Sequence, residues 1–300
     1  MSGFSTDGII LKRIEYGDND LIVTYFTTAM GRISVIAKNA RKSVKRFAGA
    51  LEPFSVMNLE CTWPRRKNAL PMLNLVDLCH PFAKIRTSVV KTGYACYWLE
   101  LINFSTEEGK QQEDLYNLLF YVLKALDQGS MEKEILSLLF QIRFMNLSGL
   151  APDLTSCGNC STALDGIAQQ RVFFDFSKGS LVCDRCRRAD RQSAQGRSVI
   201  GQNRIDQRTI NRNGGGQIVN NQYSTDPDST GRGCHGITVS RGTLKQLLWI
   251  NNSDLNRADR LRFSPNAVTE GERLLESFIP CHLGREVNSL LFLRRIREVG

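Results

Sequence analysis

Long apolar runs are missing from this 300-residue chain. No window approaches the roughly 18 apolar residues that a bilayer-spanning helix requires. The opening MSGFSTDGIILKRIEYGDND offers only Ile9-Ile10-Leu11 before charge returns, too short a run for the core of an export signal. A cytoplasmic protein with no membrane partner is expected. Histidine is scarce, and His80, His235 and His282 stand far apart with no pattern joining them. The chain lacks a GxxxxGK[ST] phosphate loop, a GxGxxG after a strand, an HExxH and a GxSxG. The glycines Gly214 to Gly216 are followed by no lysine and flanked by no strand. The acid pairs Glu107-Glu108 and Glu113-Asp114 sit at helix starts, where the positive end of the helix dipole accounts for them. With no site for chemistry, a non-enzymatic protein is expected.

Acids are the minority among the charges, 30 against 39 Lys and Arg, and the formal charge is +9. Such a balance favours phosphate backbones, acidic protein tails or anionic lipid surfaces, without choosing among them. Nine cysteines form an odd number in a long chain without an export signal. Reduced thiols or metal ligands therefore fit better than a disulfide framework. The 42% of hydrophobic residues can build a core in more than one domain.

The texture changes along the chain. GIILKRI, LIVTYFT, RISVIAK, FSVMNLEC and LPMLNLVDL are short β-like segments divided by YGDND, AMG, a basic stretch and TWPRRKN, which predicts a five-stranded barrel over residues 1–80. Residues 81–156 turn helical, with apolar residues at three- and four-residue intervals over Ser88 to Phe104, Glu113 to Leu126 and Glu132 to Leu147. Residues 187–236 become polar and rich in Gly, Asn, Gln and Ser, as a disordered insertion would be. Apolar periodicity returns over 237–300 and predicts two or three closing helices packed on the helical domain. The expected class is α+β multidomain: a five-stranded OB-fold barrel, a helical bundle and, inserted between the central and C-terminal helices, a small cysteine module.

That module is the clearest chemical signal. Cys157-Gly-Asn-Cys160 and Cys183-Asp-Arg-Cys186 are two CxxC knuckles with 22 residues between them. Each knuckle supplies two thiolates from one tight turn, and zinc takes four soft ligands in a tetrahedron. VFFDF and SLV, turning at Lys178-Gly179, read as a hairpin that brings the knuckles together as a zinc ribbon over 157–186. Four thiolates close the coordination shell, so one structural Zn2+ per chain is expected. A redox CxxC would need only one pair. The remaining Cys61, Cys79, Cys96, Cys234 and Cys281 have no partner spacing.

The second signal is KNARKSVKRF, residues 38–47, which holds Lys38, Arg41, Lys42, Lys45 and Arg46 with no acid. The spacing lines the bases along one face if the stretch is helical, and a loop that orders on DNA would serve equally. It joins the third and fourth expected strands, and Arg65, Arg66 and Lys67 fall in the turn before the fifth. In an oligonucleotide-binding barrel the strand 2–3 face and the loops after strands 1 and 4 contact nucleic acid, and Arg65 to Lys67 lie in the second of these loops. Phe47 and Trp63 lie beside the two clusters, either as stacking surfaces for bases or as a barrel lid and a half-buried turn residue.

Taken together, GIILKRIEYGDNDLIVTYFTTAMGRISVIAKNARKS with RFAGALEPF, then FQIRFMNLSGLAPDLTSCGNC with Phe140, Arg143, Gly149, Pro152, Leu154 and Cys157, and the ending LGREVNSLLFL with Gly284, Arg285, Ser289 and Leu293, resemble the RecO family of bacterial recombination mediators. The resemblance covers nearly the whole chain outside the insertion. It implies an N-terminal OB-fold, a helical domain and a zinc ribbon. It also implies a nucleoid-associated protein that binds single- and double-stranded DNA, anneals complementary strands and works with RecR to load RecA onto DNA coated by single-strand-binding protein. On that reading Arg32, Lys38, Arg41, Lys42, Lys45, Arg46, Phe47, Arg65, Arg66 and Lys67 contact DNA. The helix around Phe140, Arg143 and Leu147 would take the acidic, phenylalanine-ended tail of single-strand-binding protein, although the same residues read equally as helix core plus one exposed Arg. The alternative from another class is a zinc-ribbon adaptor for RNA or a polymerase.

Overall fold

The computed structural model describes residues 2–43, 45–47, 49–200, 236–255 and 262–299, with backbone alone over 193–200. The chain forms two compact units, residues 1–152 with 245–300, and residues 153–244.

The first unit begins with five strands, β1 (Gly3–Tyr16), β2 (Asp20–Thr27), β3 (Gly31–Ala37), β4 (Val56–Thr62) and β5 (Met72–His80). They close into a barrel in the order β1-β2-β3-β5-β4. β1 serves two partners, pairing through Gly3–Ile9 with β4 and through Gly8–Tyr16 with β2. The register shifts between Ile10 and Lys12, a bulge that lets the strand bend from one neighbour to the other. The one parallel seam joins β3 to β5 at Ile36 and Met72, where the Ile36 N–H donates to Pro71 O at 2.9 Å. This is the oligonucleotide-binding topology that the segment order predicts. Alternation along β3 sends Ile33, Val35 and Ala37 inward, to meet Val23, Tyr25, Met57, Leu59 and Leu73. The link from β3 to β4 crosses one end of the barrel, and Phe47, Ala50 and Leu51 from it complete the core.

Four helices follow: α1 (Ala83–Arg86), α2 (Val89–Ser105), α3 (Glu113–Gln128) and α4 (Lys133–Leu147). Their ends follow local chemistry. The Ser88 side chain accepts from Lys91 N–H at the start of α2, and Gly129 takes the left-handed conformation at the end of α3. Between α2 and α4, Trp98 Nε1 and Gln141 Nε2 both donate to Ser137 Oγ, and Tyr97 Oη donates to Gln141 Oε1, so these buried polar groups satisfy one another.

The second unit carries β6 (Asp153–Cys157), β7 (Arg171–Asp175), β8 (Ser180–Val182), α5 (Asp184–Ile200) and β9 (Gly236–Ser240). Its sheet runs β6-β8-β7-β9. Two expectations are corrected here. The ribbon is wider than 157–186, because β6 precedes the first cysteine and β9 pairs antiparallel along all of β7. GITVS is thus a strand, not the start of a closing helix. The insertion expected over 187–236 begins as the continuation of α5 to Ile200, and 201–235 lie outside the described residues.

α6 (Arg241–Asn252), α7 (Pro265–Leu283) and α8 (Asn288–Val299) close the chain. Glu100 of α2 accepts from the backbone N–H groups of Asn288 and Ser289 at 3.3 and 2.8 Å and from the Ser289 hydroxyl, capping α8 from another helix. The carboxylate of Glu276, 4% exposed, meets Arg294 at 3.2 Å and Arg297 at 2.7 Å, which ties α8 to α7.

The β2–β3 turn fastens the barrel to the helices. Arg32 Nε donates to Thr106 O at 3.0 Å, Gly109 N–H donates to Arg32 O at 3.0 Å and Gln111 Nε2 donates to Thr28 O at 3.0 Å. The approach is close enough to exclude a side chain at Gly31, whose φ is +60° and whose added Cβ would lie 1.8 Å from Lys110 O. Gly17 has φ +57° with nothing within 4 Å. Gly31→Ala is therefore expected to cost about 3 kcal/mol by chemical denaturation, against about 1 kcal/mol for Gly17→Ala, where only the backbone preference is lost.

Candidate nucleic-acid interface and metal centre

In the second unit the chain turns at Cys157–Cys160 so tightly that Ser161 N–H donates to Cys157 O at 2.8 Å, with Ser161 itself left-handed. Gly158 N–H donates to Leu181 O at 2.8 Å, so the first knuckle lies against β8. β8 then delivers Cys183 and the first turn of α5 delivers Cys186. All four sulfur atoms lie within 4.8 Å of one another, with Cys160 and Cys183 at 3.7 Å. A metal–sulfur length of about 2.3 Å in a tetrahedron places neighbouring sulfurs about 3.8 Å apart, so the spacing fits a zinc-sized ion.

The electrostatics agree with that fit. Hydrogen bonds from the Thr162 side chain and backbone hold Cys160 down to about 6. Burial pushes Cys157 up, but backbone N–H groups, including that of Cys183 at 3.4 Å, outweigh it and lower the thiol. Cys186 goes the other way, to about 12, through desolvation and then the neighbouring sulfurs. Four thiols this close cannot all ionise unless a cation shares their charge. The cluster can hold a metal ion, and its four sulfur donors match zinc and leave no place for water.

The basic segment has a definite shape, though not a helical face. A single 3-10 turn covers Ala40–Lys42, and Ser43 is already extended. Tertiary contacts divide its five cations. Lys38 Nζ lies 2.6 Å from Asp20 Oδ2, and Arg41 Nη1 lies 3.2 Å from Glu15 Oε2. Arg46 Nη2 donates to Lys38 O at 2.8 Å, and its guanidinium stands 5.0 Å from the centre of the Phe47 ring. Lys42 and Lys45 are exposed and, among the described residues, pair with no acid. The same holds for Arg65, Arg66 and Lys67 in the β4–β5 loop. The parallel seam at Ile36 and Pro71 brings the end of β3, from which the segment departs, beside the end of that loop. Trp63 is 42% exposed and packs on Phe4 at 4.5 Å between ring centres.

Other expected site residues are placed differently. Phe47 is 4% exposed and belongs to the barrel core, so its ring is a lid and no base can stack on it. Arg32 sits at the opposite end of β3 from Lys38, about 20 Å along an extended strand, and its Nε is engaged in the joint to the helices. Phe140 is fully buried between Trp98 and Phe144, and offers no surface to a partner. Arg143 donates to Ile250 O at 3.1 and 2.9 Å and to Ser253 O, fastening α4 to α6. Leu147 is 41% exposed. Phe140 is thus core, and Arg143 is half-buried and bonded to backbone oxygens, where one exposed Arg is the alternative expected from sequence. Sequence reasoning missed Glu15, Asp18 and Asp20: in EYGDND they signal only a turn, yet the Glu15 and Asp20 carboxylates and the Asp18 carbonyl engage Arg41 and Lys38. The signal available was their place in the β1–β2 hairpin, at the start of β2, whose partner strand β3 ends at Ala37, just before Lys38.

Comparison with known proteins places this assembly. Residues 1–82 match the family described as Recombination protein O N terminal, and residues 86–215 and 213–291 match Recombination protein O C terminal. The "DNA repair protein RecO" of Desulfosudis oleivorans is 37% identical over 299 residues, covering 99% of this chain and 100% of its own. Proteins of the same description from Desulfatibacillum aliphaticivorans and Syntrophus aciditrophicus are 36% and 30% identical, covering 99% and 98% of this chain and 99% and 96% of their own. The chain belongs to the RecO family, and its role lies in DNA repair and recombination. No helix among the described residues is long and apolar enough to cross a membrane.

The knuckle geometry makes one position sharply testable. A Cβ at Gly158 would lie 2.3 Å from Ser180 Oγ and 3.1 Å from Ser180 Cβ. Gly158→Ala is expected to destabilise the cysteine unit by about 2 kcal/mol, and Ser180→Gly in the same chain to recover most of that, because the clash is with one side chain. A double-mutant cycle by thermal denaturation measures the coupling.

Proposed function

We propose that this protein is a non-enzymatic recombination mediator that binds single- and double-stranded DNA through the barrel and anneals complementary strands. The observation that carries the reading is the set of exposed cations on an oligonucleotide-binding barrel in a chain of the RecO family, with Lys42, Lys45 and Arg65 to Lys67 unpaired among the described residues. Such cations displace counterions from phosphates, which gives affinity for any sequence and makes it fall as salt rises. Annealing then needs no catalytic group. A basic surface that holds two strands lowers their repulsion and raises their local concentration. Exposed Trp63 adds one face on which a base can stack.

In the same reading the protein works with RecR to load RecA onto DNA coated by single-strand-binding protein, whose acidic tail docks elsewhere than at buried Phe140. Cys157, Cys160, Cys183 and Cys186 hold one Zn2+. The ion would supply the charge that lets four thiolates coexist and would fasten β8 and α5 to the first knuckle, with no part in chemistry.

Two measurements test these assignments. Arg41→Ala/Lys42→Ala/Lys45→Ala/Arg46→Ala is expected to slow annealing and to reduce the slope of log affinity against log salt for single strands by about 2. A variant that melts like wild type and keeps both annealing rate and slope refutes the DNA reading of the segment, and a preference for RNA over DNA would point to an adaptor instead. For the metal, Cys183→Ser should drop bound zinc, read by elemental analysis, from one equivalent towards none. It should also lower the melting temperature of the cysteine unit while leaving barrel affinity for DNA largely intact.

A further inference from the structure

Two hydrogen bonds tie the start of the basic segment to one acid in the β1–β2 hairpin. Asp20 Oδ2 takes Lys38 Nζ at 2.6 Å, while Oδ1 accepts the backbone N–H of Asn39 at 2.8 Å. Asn39 is left-handed, with φ 53°, a conformation that Asn adopts more readily than other non-glycine residues. From that fixed corner the chain enters the 3-10 turn through Lys42 N–H to Asn39 O at 3.2 Å, and Arg41 N–H donates to Asn19 O at 3.1 Å. The Lys38 carbonyl, set by the same corner, then receives Arg46 Nη2 at 2.8 Å, and Ser43 Oγ receives Arg46 N–H at 3.1 Å. Lys42 and Lys45 stand between these ties, exposed and without an acid partner among the described residues.

We propose that Asp20 is a positioning residue for DNA: it fixes Lys38 and Asn39 so that Lys42 and Lys45, and not all five cations equally, are presented to the phosphates. The inference rests on the reading of the segment as a DNA contact. Its content is a sign. An acid beside a DNA-binding surface repels phosphate, so bare electrostatics makes its removal tighten binding. If Asp20 positions the segment, removing its acceptor oxygens weakens binding in spite of the lost negative charge.

The test is binding of the full-length protein to oligo(dT) over a salt series, with melting temperature as the check on folding. Lys42→Ala/Lys45→Ala is expected to lower the salt slope by about 1.4, two contacts at about 0.7 each for a single strand. Asp20→Ala is expected to bind more weakly, with a slope lowered by about 0.7 to 1.4 as one or both lysines disengage. Asp20→Asn keeps an oxygen for the Asn39 N–H and is expected to bind as wild type or tighter. An unchanged slope in the double lysine variant refutes the DNA reading of the segment, and the role of Asp20 with it. A lowered slope there, with Asp20→Ala and Asp20→Asn both binding as wild type or both tighter, overturns the positioning role alone.

Discussion

Five cations in ten residues repel one another, and what keeps them on a common surface is the burial of Phe47. From the link between β3 and β4, Phe47, Ala50 and Leu51 join the same buried core as Val35, Leu59 and Leu73. Burying a phenylalanine side chain stabilises by roughly 1.5–3 kcal/mol, while charges on an exposed segment are screened within about 8 Å at physiological ionic strength. The apolar gain is therefore the larger effect, and the segment can carry charge outward because its other face is core. The core of the barrel and the placement of the basic segment therefore share one set of contacts.

Much of the fold is legible in the sequence for a local reason. Turn residues divide five apolar segments, and each becomes a strand within a few residues of its expected bounds. The three long helices of the bundle fall within two residues of their periodic runs, since Ser88, Gly129 and Gly149 mark ends that backbone chemistry enforces. β6 and β9 were not legible. GITVS has five residues and no period to distinguish it, and it is a strand because β7 offers it an edge some sixty residues earlier in the chain.

The candidate sites divide in the same way. Four cysteines with fixed spacings announce their cluster without knowledge of the fold. The basic segment announces its charge but not which cations are already committed, because Asp20 and Lys38 meet only through the register of β2 on β3. Phe47 and Phe140 show the limit most plainly. A phenylalanine next to an arginine has the same sequence whether its ring faces solvent or core, and only packing decides. Buried polar contacts carry a related lesson. The Gln141, Ser137, Tyr97 and Trp98 set and the Glu276 pairs contribute little net attraction, but they make a misregistered helix costly, because it would strand polar groups out of water.

The division of the first unit between residues 1–152 and 245–300 gives its parts different histories on the ribosome. The barrel is closed by strands that end at His80, so it can fold while most of the polypeptide is still being made. Helix α2 emerges soon afterwards, yet Glu100 receives the N-terminus of α8 from nearly two hundred residues downstream. Until α8 has been made, the nascent chain carries a completed barrel and a helical core that lacks the partner of Glu100. The barrel is assembled first, and the helical core that receives α8 is assembled after it.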